Sequence, residues 1–148
     1  MKIICGLITV FGLNTLASDL VVIPSGKIEA IWLTPVSKKE PKKVKDFQRL
    51  VSVSSFMAMP YQVTVKEFKD FLKNNPDWEK KNISSLFSDS SYLKDFETAD
   101  LKSPVTYISW FAARAYCQSK GLRLPSVNEW EYMAAASETR LYICADSY

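Results

Sequence analysis

Apolar and polar positions along this chain fall into blocks that read as separate elements. Residues 3–16 carry no charge and follow Lys2. Residues 20–23 and 28–33 are largely apolar, with Pro24-Ser25-Gly26 between them, which predicts a hairpin or two short strands. Residues 37–45 hold five lysines, one glutamate and Pro41, and read as a solvated loop. Residues 47–57 space Leu50, Val51, Val53 and Phe56 as a strand does. Thr64 followed by Glu67 is a capping box, in which each residue satisfies the other's amide. The helix it opens puts Val65, Phe68, Phe71 and Leu72 on one face, and Asn74-Asn75-Pro76 stops it. Residues 77–103 are polar with scattered aromatics at Trp78, Phe87, Tyr92 and Phe96, and predict a long irregular segment.

Two more helices follow. Ser109 caps the first, with Trp110, Ala113 and Cys117 as its apolar stripe, Ala112 and Tyr116 widening it, and Gly121 just past its end. Ser126 and Glu129 form a second capping box, after which Val127, Trp130, Met133 and Ala134 are expected to face inward. With Trp110 and Trp130 both expected to be mostly buried, Trp130→Ala should cost roughly 3–5 kcal/mol.

Composition narrows the chemistry. The 148 residues are 47% apolar and 13% aromatic, enough for a packed core. There is no histidine, which excludes Ser-His-Asp and Cys-His catalysis and histidine metal sites. The four glycines cannot write a P-loop or a dinucleotide fingerprint, and three cysteines are one short of an all-thiolate zinc site. A net charge of +3 does not suggest nucleic-acid binding.

Lys2, the uncharged run 3–16 and the small residues Thr15 and Ala17 read as a signal peptide cut after Ala17. Residues 1–17 then form a leader and 18–148 one domain, secreted or periplasmic, with no stable membrane span after cleavage. Cys117 and Cys144 remain. In an exported protein this even pair either closes a disulfide, worth about 3.5 kcal/mol in chain entropy, or stays as two thiols. Asn82-Ile83-Ser84 matches a glycosylation sequon, a pattern common by chance.

The stretch 104–132 carries more than periodicity. Pro104-Val105, Ser109-Trp110, Ala113, Tyr116-Cys117, Gly121-x-Arg123-Leu124-Pro125 and Glu129-Trp130-Glu131-Tyr132 resemble the formylglycine-generating enzyme, or sulfatase-modifying factor, family. Weaker matches precede it in order: Ile23-Pro24-Ser25-Gly26, Phe56-Met57, Tyr61-Gln62-Val63-Thr64, and Glu67-Phe68. The resemblance covers most of residues 20–136. It implies an α+β, C-type-lectin-like fold with short strands, two or three helices and long loops, here an incomplete, N-terminal half of a domain.

The family resemblance implies a copper-dependent oxidation of a peptide cysteine to formylglycine, with calcium and copper bound by the full domain. Its later Gly-Asn-Val-Trp-Glu-Trp motif, calcium ligands and reactive cysteine pair have no counterpart in this sequence, although residues 142–146 are a degenerate version of one family loop. The resemblance also gives Cys117 a structural-disulfide position whose usual partner lies in that later half. No catalytic, cofactor-binding or metal residue is therefore assigned. Ser109, Trp110, Arg123, Pro125, Glu129, Trp130 and Glu131 are read as structural, with Glu129 capping its own helix and Arg123 able to bridge to a carboxylate such as Glu131. The expectation is an exported family domain, inactive alone and without bound cofactor. The alternative is a noncatalytic ligand- or protein-binding module on the same scaffold, its partner a protein or peptide and not nucleic acid.

Overall fold

A computed structural model of the chain describes residues 6–7, 20–29 and 50–135. The strands are β1 (Gly6–Leu7), β2 (Val21–Ile23), β3 (Gly26–Glu29), β4 (Leu50–Val53) and β5 (Phe56–Ala58). The helices are α1 (Val65–Asn74), α2 (Trp110–Ser119) and α3 (Val127–Ala134), with a 3-10 turn at Pro76–Trp78. The fold is α+β with two small sheets, ordered β1-β5-β2 and β3-β4. Most of the leader, the lysine-rich segment 37–45, residues 142–146, Cys5 and Cys144 lie outside the described residues. The chain divides into two compact units, Met1–Val21 with Met57–Leu124, and Val22–Phe56 with Pro125–Tyr148.

The first unit holds the larger core. Thr64 starts α1 as its capping pattern predicts. Glu67 N–H donates to Thr64 Oγ1 (3.2 Å), and Thr64 N–H donates back to Glu67 Oε2 (2.8 Å). That cap fixes the helix phase, so Val65, Phe68, Phe71 and Leu72 are the residues it buries. Across from them α2 buries Ala112, Ala113, Tyr116 and Cys117. The rings interlock: Phe68 stacks on Tyr116 (5.9 Å between centroids), while Phe71 meets Tyr116 edge-on (5.5 Å) and Phe96 meets Phe68 edge-on (6.0 Å). Residues 77–103 are irregular, as their composition predicts, yet they send Tyr92, Leu93 and Phe96 into this core. Leu93 and Tyr107 both adopt positive φ, and Leu93 N–H donates to Tyr107 O (2.8 Å).

Helix α2 ends in a Schellman motif. Gly121 N–H donates to Gln118 O (3.0 Å) and Leu122 N–H to Cys117 O (2.8 Å). Gly121 sits at φ +69°, where a side chain would be strained although nothing crowds it. Trp110 is a correction to the sequence reading, because it is 50% exposed. At about 100° per residue it lies roughly 90° from the centre of the buried stripe, at the first helical position. It rests instead edge-on against Phe111, with the Arg114 guanidinium 5.5 Å from its ring centroid.

In the second unit β3 and β4 pair antiparallel from Gly26↔Val53 to Glu29↔Leu50. Of the two sequence alternatives for 20–33, separate strands form; β2 and β3 belong to different sheets. A two-residue hairpin loop favours positive φ at its first position, which Pro24 cannot supply. The expected single strand 47–57 is broken at Ser54-Ser55, where Ser55 Oγ donates to Ile23 O (3.0 Å).

The buried face of α3 differs from the expected one. Tyr132 is buried, whereas Val127 and Trp130 are exposed, Trp130 by 48%. Tyr132 packs where Gly26 of β3 leaves space: a Cβ there would come within 2.7 Å of Tyr132 Cζ. The helix therefore turns its Tyr132 face inward, and Trp130, two positions away and roughly 160° round the helix, points outward.

Two expectations follow from this packing. Phe68→Ala should cost about 3–5 kcal/mol in urea unfolding, and Trp130→Ala no more than about 1 kcal/mol, reversing the ranking that side-chain size alone gives. Burial raises the phenol pKa of Tyr92, and burial together with the Glu67 charge raises that of Tyr116. The folded chain then holds protons that the unfolded chain releases above its ordinary value of about 10, so stability is full below pH 10 and falls as pH climbs beyond it. Absorbance at 295 nm should show Tyr92 and Tyr116 ionising only as the protein unfolds.

Candidate functional site

Three of the motif residues of 104–132, Ser109, Arg123 and Glu129, bond to backbone within three positions. Ser109 Oγ accepts from Ala112 N–H (3.1 Å) as the cap of α2. Arg123 Nη1 donates to Leu124 O (3.1 Å) just ahead of Pro125. Glu129 Oε2 accepts from Ser126 N–H (2.7 Å), the second capping box. Glu131 has one buried carboxylate oxygen, Oε2, with no hydrogen-bond partner.

Cys117 is fully buried in α2 and disulfide-bonded. The chain's other cysteines, Cys5 and Cys144, are outside the described residues. A disulfide consumes two of the three thiols, so the residues present do not fit a copper site made of two free thiolates. Among the described residues no group of three or more histidine, cysteine, aspartate or glutamate side chains could hold a metal ion. No described helix is long and apolar enough to cross a membrane.

What the fold does assemble is a groove in the first unit that the sequence reading did not anticipate. It encloses about 1080 Å³. Its walls are residues 59–62, the first turn of α1, the strap 101–104 and the C-terminal end of α2. The strap is tied to α1 by backbone bonds. Val65 N–H donates to Ser103 O (2.9 Å), Lys66 N–H to Leu101 O (3.0 Å), and Val105 N–H to Val63 O (2.9 Å). With Glu67 and Phe68 N–H bonded to Thr64, all four leading amides of α1 are satisfied, so its N-terminus offers no anion site.

The charge of the groove comes from side chains. Lys66, Lys102 and Lys120 line it, and Glu67 is the one carboxylate among its described lining residues. Glu67 Oε2 already accepts from Thr64 N–H and Thr64 Oγ1 (2.8 and 2.7 Å). Lys66 lies 3.5 Å from Asp70 in an exposed pair, which is weak. Tyr116 also lines the groove; it is 1% exposed, and its hydroxyl makes no hydrogen bond among the described residues. The sequence signal for this site is faint: an apolar Met59-Pro60-Tyr61 run, and lysines far apart in the chain.

Comparison with known proteins bears on the motif segment. Residues 10–147 match the sulfatase-modifying factor enzyme 1-like domain. An uncharacterized protein of Borreliella burgdorferi is 35% identical over 121 residues, covering 74% of this chain and 24% of that protein. The inactive C-alpha-formylglycine-generating enzyme 2 of Bos taurus is 26% identical over 149 aligned positions, covering 78% of this chain and 48% of that protein. The chain thus spans half or less of the length of these relatives. Its match over residues 10–147, nearly the whole chain, places it in the sulfatase-modifying factor, or formylglycine-generating enzyme, family.

Proposed function

We propose that this chain is an exported, noncatalytic member of the family, a binding module on a C-type-lectin-like scaffold. The observation that carries the reading is the Cys117 disulfide. Disulfides persist in oxidising compartments, which supports export, and this one withdraws two of three thiols from any redox chemistry. The absence of histidine leaves no imidazole for an alternative metal site. A bovine relative whose name calls it inactive fits the same direction. The family resemblance places the copper and calcium chemistry on residues that have no counterpart among residues 1–148.

Export carries a consequence for the disulfide. Cleavage after Ala17 removes Cys5 and leaves Cys144 to pair with Cys117. It also removes β1, a two-residue strand, from its pairing with Met57 and Ala58.

Two experiments test the proposal. Protein purified from an exporting host should begin at or within two residues of Ser18, and a nonreducing peptide map should link Cys117 to Cys144. An intact Met1, or a Cys5–Cys117 link, would refute export with cleavage. The copper-treated chain, given a cysteine-containing peptide and oxygen, should leave the peptide mass unchanged. Turnover lost on Cys117→Ser or Cys144→Ser would show that the noncatalytic reading is wrong.

A further inference from the structure

The groove beside α1 and α2 has a definite chemical character. Its volume of about 1080 Å³ lies just above the range for small-molecule sites, roughly 300–1,000 Å³. It is also open, with Tyr61 on its lining 80% exposed, whereas sites for small ligands enclose most of the ligand surface. These two features favour a segment of chain over a compact molecule or a lipid tail. Leu20, Met59, Leu101 and Leu122 supply an apolar lining. Lys66, Lys102 and Lys120 also line the groove, and among the described lining residues the one carboxylate, Glu67, is already committed to the Thr64 cap. Lys102 and Lys120 have no acidic partner among the described residues. The Tyr116 phenol is kept protonated by burial, so its unpartnered hydroxyl is available to a ligand as a donor.

We infer that this groove binds an extended acidic peptide segment whose alternate apolar side chains enter the groove while its carboxylates meet Lys66, Lys102 and Lys120. An extended chain sends successive side chains to opposite faces, and long lysines reach over an apolar floor with their charges in water, so both sets of contacts are made at once. The Tyr116 hydroxyl donates to a peptide carbonyl or carboxylate at the floor. The inference rests on the binding reading above and adds the class of ligand.

The probe is a fluorescein-labelled nine-residue peptide alternating glutamate with leucine and valine, followed by fluorescence polarisation on the full chain. Binding is expected to weaken at least tenfold in Lys102→Glu/Lys120→Glu and to weaken severalfold between 50 mM and 500 mM salt. Tyr116→Phe should weaken it severalfold while leaving the salt dependence unchanged. Circular dichroism melts check that the variants fold; both lysines are exposed, so the double variant should melt as the parent does. The same peptide with lysine in place of glutamate should not bind.

Equal binding of the lysine peptide, unchanged binding by the folded double variant, or no binding of the acidic peptide would each overturn the inference. Displacement of the peptide by laurate at equal concentration would overturn it in favour of a lipid anion. None of these outcomes bears on the noncatalytic reading, which fails only through turnover of the cysteine peptide.

Discussion

The packing of Phe68 against Tyr116 is the contact on which the larger unit depends. Each ring is fully or almost fully buried, and each belongs to a different helix. Phe71 and Phe96 complete the cluster edge-on, the arrangement that aromatic quadrupoles favour. Only with α1 in this phase do Val65, Phe68 and Phe71 all reach α2 and the irregular segment. The capping pair Thr64 and Glu67 sets that phase by fixing where the helix begins. A cap worth about 1 kcal/mol therefore directs a core worth many times more.

The same helix start shapes the groove. The strap 101–105 fulfils the bonding needs of α1's first amides, and in doing so is held as one wall. A helix N-terminus free of such a strap would draw anions through its amides and dipole. Here that route is closed, and among the described lining residues the charge comes from the side chains of Lys66, Lys102, Lys120 and Glu67. Affinity would then depend on salt and on side-chain charge, while the backbone supplies shape alone.

In the motif segment, several of the residues that carry the family match serve the scaffold. Ser109 and the Ser126–Glu129 pair cap helices, Gly121 closes α2 through its positive φ, and Cys117 is tied into a disulfide. These are tasks of the scaffold, and a scaffold can be kept while the chemistry grafted on it differs. Glu131 Oε2, also in the motif, is buried without a hydrogen-bond partner.

Much of the local structure was legible in the sequence. Both capping boxes, the stop at Asn75-Pro76, the Gly121 closure and the irregular run 77–103 all formed as their residues indicate. The caps and the Gly121 closure rest on bonds between positions three to five apart, which local sequence specifies directly. Strand pairing did not follow in the same way: β2 and β3 are neighbours in sequence but join different sheets, because Pro24 denies them a tight hairpin. The exposure of Trp110 and Trp130 is not legible in the sequence, because hydrophobicity says a ring favours burial but not which side of its helix finds a partner. For α3 that choice fell to Gly26, about a hundred residues away, whose missing side chain admits Tyr132. The groove was hidden for the same reason. Lys66, Lys102 and Lys120 are brought together only when the strap and two helices close around Tyr116, so sequence determined the pieces and their caps, and tertiary packing alone decided which surfaces they present.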